Sequence, residues 1–554
     1  MKSTRFTLAA LLLAFLVAQP SLAEDWSRDD AAHLLRRAGF GGTPLQVDAL
    51  HSYGRDAAVE YLLTGRVPDG ARPVFTAVSF PDFQNTPIDR DKKTDRKELV
   101  KTIQRLGRQD LVRYRGYWLD RMVRTDRPLE EKMTLFWHGL LCSGIQEVKS
   151  GTLLIQQNKL YHEYALGNYH KLVAAIIHDP AMLRYLDADK NVVGKPNENL
   201  GREIMELFTM GEGQGYTEKD IAEVARALTG MGVQGRDGEA QFRPRAHDNK
   251  VKTIFGQTGN FKPDDVPELI FSRPQPAKYL AKKLWVFFVS PNPSEDDLAP
   301  IAKALQDSNF ELKPALRELF TNPAFYSEKA KFALIQSPTE LCVSTARMLD
   351  LTPNGVMLAA QLGKMGQELF QPPNVKGWPG GEQWITAATL YNRYNVCSAM
   401  VEGRLVGGGG LMFKPNNKPN AQARAQRLEA VAIAAEADGG AAAPKKAAGA
   451  RAARQAKMQA ARRERNGAKP QAAALVNAVS PVKLFAGLPA EPTAAQVVDA
   501  AIGRFVQRPL HPDKRATLIG TLGDQPIKFG QVESDRRVRE MVSLLLSTPE
   551  YQVH

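Results

Sequence analysis

Apolar residues recur along this chain at spacings of three and four, and runs of β-branched residues long enough to form strands are scarce. That combination confines the chain to helices packed on helices. Asp29 and Asp30 precede Ala31, Leu34, Leu35 and Ala38, and Gly39 reads as the glycine that ends this helix. Leu111, Tyr114, Trp118, Leu119 and Met122 form a stripe over 109–124, and Met133, Leu135, Phe136, Trp137, Leu140 and Leu141 form another after Pro128. Similar stripes predict helices over 153–168, 171–177, 199–210, 218–229, 277–288, 295–306, 313–320, 338–349 and 355–362. Val497, Ile502 and Phe505, then Val538, Met541, Leu544 and Leu545, mark two closing helices. The only strand signal is 232–242 with 252–255. The expected fold is therefore mainly α, a multi-helical globular body with at most a short β-hairpin.

The first residues carry a different pattern. Lys2 and Arg5 precede an apolar run from Phe6 to Val17 broken only by Thr7, and Ser21-Leu22-Ala23 stands before Glu24. A bilayer span needs about 20 apolar residues. The run is shorter, so 1–23 is expected to be a cleaved signal peptide, with an uncleaved anchor as the alternative. An exported protein, periplasmic or extracellular, with no membrane span after cleavage follows from that reading. Its length exceeds one core, so two or three packed units are expected.

Net charge is +13, but its distribution argues against a nucleic-acid face. The stretch 414–469 alone carries 13 Lys/Arg against 4 Asp/Glu. Lys2 and Arg5 add two more, and the remainder is nearly neutral. Around this stretch, 407–474 is rich in Gly, Ala, Arg, Lys and Gln and holds an apolar stripe only at Leu428, Val431 and Ile433. It is expected to be a disordered basic insert. The boundaries that follow are 24–406 for the helical main body and 475–554 for C-terminal helices packing on it. Thirteen cations spread along 414–474 would hold polyanions without specificity, and adhesion to anionic envelope polymers is one open role. Three cysteines make no framework: either Cys342 pairs with Cys397 or all three, Cys142 included, are buried thiols.

The densest polar cluster is Asn197-Glu198-Asn199-Leu200-Gly201-Arg202-Glu203-Ile204-Met205-Glu206-Leu207. On a helix, Asn199, Arg202, Glu203 and Glu206 share a face beside the apolar Leu200, Ile204, Leu207 and Phe208. Asn197 or Asn199 can cap it, and Glu198 with Arg202 is a favourable pair four residues apart. A capped, salt-bridged helix explains all of this. The rival is a metal or acid–base site in which Glu203 and Glu206 join His247 and Asp248, a donor set that would suit several metals. HExxH, Glu-x-x-His, a Gly-x-Ser-x-Gly elbow and a P-loop are all missing from the sequence. Gly230 to Gly235 matches a dinucleotide-loop spacing by letter only, because a helix precedes it where a strand is required.

Thr217 with Asp220 reads as a capping box, and Asp220 could instead tie to Arg202 or Arg226. His138 on its apolar helix reads as a core histidine, and His33 with Arg36 and Arg37 as a cationic helix end. Trp378 and Trp384 in the loop around Gly377-Trp378-Pro379-Gly380-Gly381 could stack on a sugar or plug the end of the body.

Taken in order, His33-Leu34-Leu35-Arg36-Arg37-Ala38-Gly39-Phe40-Gly41, Phe136-Trp137-His138, the Asn197 to Leu207 cluster, Gly215-Tyr216-Thr217 into Asp220, Ala225 to Gly230, His247-Asp248, Val375 to Gly381 and the closing Leu544 to Gln552 resemble the bacterial domain-of-unknown-function family numbered 1800. The resemblance covers about 27–553 apart from the basic insert. It implies an exported helical protein with no settled activity or cofactor. It also implies a second exported partner resembling the sulfatase and alkaline-phosphatase class. Gly139-Leu140-Leu141-Cys142 departs from the family pattern after Trp137-His138. The favoured role is an accessory or binding protein for an exported partner or envelope polymer, acting through Arg202, Glu203, Glu206 and the tryptophan loop. A metal-dependent hydrolase using Glu203, Glu206, His247 and Asp248 is the alternative.

Overall fold

The computed structural model describes residues 26–87, 95–235, 238–405 and 478–554; the expected signal peptide and the basic insert lie outside them. The described residues are mainly helical, with two small antiparallel sheets, and none of their helices is long and apolar enough to cross a membrane. Met231–Val233 pairs with Ala240–Phe242, and Lys252–Ile254 pairs with Gln257–Gly259. The second strand signal thus closes on the segment after it. The reason is local: Phe255 at φ 50° and Gly256 at φ 80° form a two-residue turn with both central residues left-handed, the geometry that suits hairpin twist.

Apolar faces bury into two adjoining cores. One is built from Arg28–Gly39, Pro128–Leu140, Tyr169–Ile177, Glu218–Ala227, Gln275–Phe288 and Leu312–Thr321. The other joins Arg96–Arg124 and Gly151–Glu163 to Pro338–Met348, Ala387–Val401 and the C-terminal Val532–Leu545. Helix axes approach closely where glycines meet. A Cβ on Gly151 would stand 1.9 Å from the Gly107 carbonyl oxygen, and one on Gly355 would stand 2.1 Å from that of Gly116. Those two contacts let Arg96–Arg124 lie directly against both neighbours.

Buried arginines cap helix ends across the body. Arg37 donates to the carbonyls of Phe288 (2.7 Å) and Phe287 (3.3 Å), Arg347 to those of Met122 (3.1 Å) and Val123 (3.0 Å), and Arg504 to that of Met348 (2.6 Å). Each satisfies carbonyls that have no partner within their own helix and sets a positive charge on the negative end of the dipole. The segment His33 to Gly41 is therefore a clamp: Arg36 bonds Gln507, and His33 Nε2 bonds the Phe325 carbonyl at 2.9 Å. The helix ends at Gly39, as read from sequence, with Gly39 itself still helical. The left-handed turn falls on Phe40 (φ 62°) and Gly41 (φ 74°), while bare Gly39 admits Pro128 to 3.3 Å of where a Cβ would be.

Cys142, Cys342 and Cys397 are all buried and unbonded to one another, so the thiol alternative holds and no Cys342–Cys397 disulfide forms.

Candidate functional site

The polar cluster is built on a scaffold of asparagines. Asn191 donates to the Ala225 carbonyl (2.8 Å) and accepts from the Asn197 N–H (2.8 Å), while Asn197 Oδ1 accepts from Asn199 N–H at 2.9 Å. The helix then runs Asn199–Glu203, and bare Gly201 lets it lie against Glu218–Ala227, with Ala225 N 3.3 Å from a would-be Cβ.

The next residues depart from α geometry. Ile204–Thr209 is a π-helical turn. Widening the turn frees backbone carbonyls, and tyrosine hydroxyls take them up: Tyr169 donates to Phe208 O and Tyr279 to Leu207 O. Such turns are concentrated at functional sites.

Arg202 gathers the surrounding carboxylates. It contacts Glu198 (3.0 Å), Glu206 (3.2 Å) and Glu218 (2.7 Å). Glu198 with Arg202 is the pair the spacing implies; Glu218, sixteen residues on, comes from the next helix and was not legible. Glu203 differs from its neighbours. It is half-buried, and among the described residues it makes no hydrogen bond and no ion pair. Burial and then the nearby Glu206 carboxylate push its acidity down and its pKa up, against the opposing pull of Arg202 and Lys376.

The tryptophan loop closes the other side of this face. Gly377 adopts φ 76°, and a Cβ there would lie 2.4 Å from the Gly139 carbonyl oxygen. Glycine is thus required for the loop to seat against Pro128–Leu140. The Cys142 thiol donates to the carbonyls of Val375 (3.3 Å) and Asn374 (3.5 Å), and burial pushes it up to about 12, so it anchors the loop and stays protonated. Lys376 projects to 3.6 Å from Glu212. Trp378 is half-buried with its ring 5.5 Å from that of His138. Trp384 is buried and packs beside Gly366, which makes it a plug. His138 is a core residue: its Nε2 accepts from Phe370 N–H at 3.1 Å, and burial lowers its pKa to about 3.

His247 and Asp248 are committed to other partners. The His247 Nδ1 lies 2.9 Å from the Thr229 carbonyl, and Asp248 accepts from Arg226 Nε at 2.8 Å. Arg226 also holds Glu223, so its carboxylate partners are these two and not Asp220. Asp220 completes the capping box with Thr217 and spends its other oxygen on Phe255 N–H at 2.7 Å. Among the described residues, no group of three or more His, Cys, Asp or Glu side chains is placed to hold a metal ion. What the fold does bring together is Arg202, Glu203 and Glu206 with Glu212, Lys376 and Tyr216, whose hydroxyl lies against Glu206.

A family model described as "Protein of unknown function (DUF1800)" matches residues 33–553. No curated protein and no solved structure matches the chain.

Proposed function

The chain belongs to the DUF1800 family, described only as proteins of unknown function, and from that premise we propose that it is an exported binding protein whose recognition face is centred on Glu203. The observation that carries this reading is the Glu203 carboxylate itself. Every other carboxylate of the cluster has a cation beside it, yet Glu203 is half-buried with no donor among the described residues. A charge held out of water without a partner costs stability, and folds retain such costs where an external group supplies the missing partner. Half-exposed Trp378 adds a flat apolar surface for the same ligand. The N-terminal sequence pattern supports export, and the ligand is then an exported partner protein or an envelope polymer bearing hydrogen-bond donors.

A photo-crosslinking residue in place of exposed Glu212, at the rim of the face, tests this in cells that export the protein. The expected result is an adduct that disappears when Glu203→Gln or Trp378→Ala is added. Absence of an adduct, or an equal one from the exposed Val532 position, counts against the face.

A further inference from the structure

Where the two cores meet, Arg28–Gly39 and Pro128–Leu140 face Pro338–Met348 and the turn Ile502–Val506 across a cavity of about 10 Å³. That volume admits one particle on the scale of a water molecule. Its polar lining comes from Arg36, Lys132, Gln336, Glu340, Ser344 and His554, and all six are buried. The neutral pair is satisfied within the fold: Ser344 donates to Gln336 Oε1 at 2.9 Å, and Gln336 Nε2 donates to the Tyr551 carbonyl at 2.9 Å.

The charged groups do not balance. Lys132 pairs with Glu340, while Arg36 and its buried neighbour Arg37 form no ion pair among the described residues. Arg36 bonds Gln507 through Nη1, and its buried Nε has no partner among the described residues. Lys132 has ammonium hydrogens that its bond to Glu340 leaves over. Burial, and then Arg37, pull the Arg36 guanidinium down to about 9. The imidazole of His554 registers the same field: burial and then Arg37, Lys132 and Arg36 oppose its protonation, and Glu340 favours it. The His554 main-chain oxygen accepts from Arg37 Nη1 at 3.4 Å. Even counted as a carboxylate, it leaves one buried cation in excess.

An uncompensated charge is costly in a low-dielectric interior, and a counter-ion removes that cost. We propose that this cavity binds one small monovalent anion of the halide class, held by the Nε–H of Arg36 and the ammonium of Lys132. Water would meet the donors and leave the charge uncompensated, and polyatomic oxyanions exceed the volume. An ion bound there ties helices of both cores together, so the stability of the fold is linked to halide concentration. The assignment is independent of the binding role given to Glu203.

The test uses the whole protein. In crystals grown with millimolar bromide, anomalous scattering should place a bromide ion in this cavity. In solution, exchanging sulfate for chloride at fixed ionic strength should raise the thermal midpoint progressively. General salt effects run the other way, because sulfate is excluded from protein surfaces and stabilises folded chains on its own. Arg36→Met should move the chloride response to at least tenfold higher concentration and remove the bromide peak. A cavity without anomalous signal, or a chloride response that survives Arg36→Met, overturns the assignment. If that variant does not fold, the parent crystal decides alone, and a water molecule at the position contradicts the anion.

Discussion

Replacing Lys132 with methionine is expected to lower the unfolding free energy by about 3–5 kcal/mol, the cost of leaving a buried charge without its partner. Lys132 is 0 % exposed and Glu340 7 %, and Nζ stands 2.5 Å from the Glu340 carboxylate. The pair joins Pro128–Leu140 of one core to Pro338–Met348 of the other. Burial by itself would raise the Glu340 carboxyl. The Lys132 ammonium, together with the Ser337 N–H at 2.8 Å, outweighs burial and holds the group well below the usual carboxylate range. Methionine keeps the volume and apolar contacts against Phe40 and Phe287, so the loss isolates the charge. Combining Lys132→Met with Glu340→Gln should recover most of it, because glutamine serves the Ser337 capping box and carries no charge. Denaturant titration of the three variants checks this. An unchanged single variant, or a double variant no better than the single, would show that the ion pair does not join the cores.

Acidification from pH 7 to pH 5 is expected to destabilise the fold strongly. His33, His138 and His554 are each at least nineteen-twentieths buried, and burial is the first cause that holds each imidazole below its ordinary value of 6.5. Arg36 and Arg37 add to the effect at His33, and Arg37 at His554. A histidine whose folded pKa is depressed takes up its proton in the unfolded chain first. Its contribution is complete above pH 6.5 and is lost as pH falls. Asp179, raised to about 7 by burial, and the raised Glu203 work in the opposite direction. Toward pH 5 the three unfolded imidazoles hold nearly three protons against at most two on the folded carboxyls, so about one net proton remains there, corresponding to about 1.4 kcal/mol per pH unit. Below the usual carboxylate range, protonation of Glu340 adds a loss of the same sign. Urea unfolding at pH 7, 6 and 5 should show stability falling at each step. A flat or rising series would mean that these imidazoles are not held neutral by the fold.

Local physics was legible in the sequence wherever a few neighbouring residues decide the outcome. The Thr217–Asp220 capping box, the Glu198–Arg202 pair and the apolar stripe of Pro128–Leu140 depend only on spacing along one helix. What escaped depends on distant partners. The π turn at Ile204–Thr209 needs hydroxyls from Tyr169 and Tyr279, and nothing in Ile204 to Thr209 announces it. That Gly39 also admits Pro128 to close contact was not legible, because Pro128 is not its neighbour in sequence. His247 and Asp248 stood beside each other and near the cluster in the chain, yet Thr229 and Arg226 hold them for other purposes. Arginines 36 and 37 read as a charged helix end; their targets lie hundreds of residues away.

Thermal unfolding of Glu203→Gln at neutral pH tests most directly whether Glu203 is reserved for an external partner. Glutamine matches glutamate in shape and removes a half-buried charge that has no donor among the described residues and that Glu206 repels. The variant should melt at or above the temperature of the parent, because the substitution relieves desolvation and like-charge repulsion without breaking a bond. A midpoint several degrees lower would show that Glu203 is a strut of the fold, and the binding face centred on it would have to be abandoned.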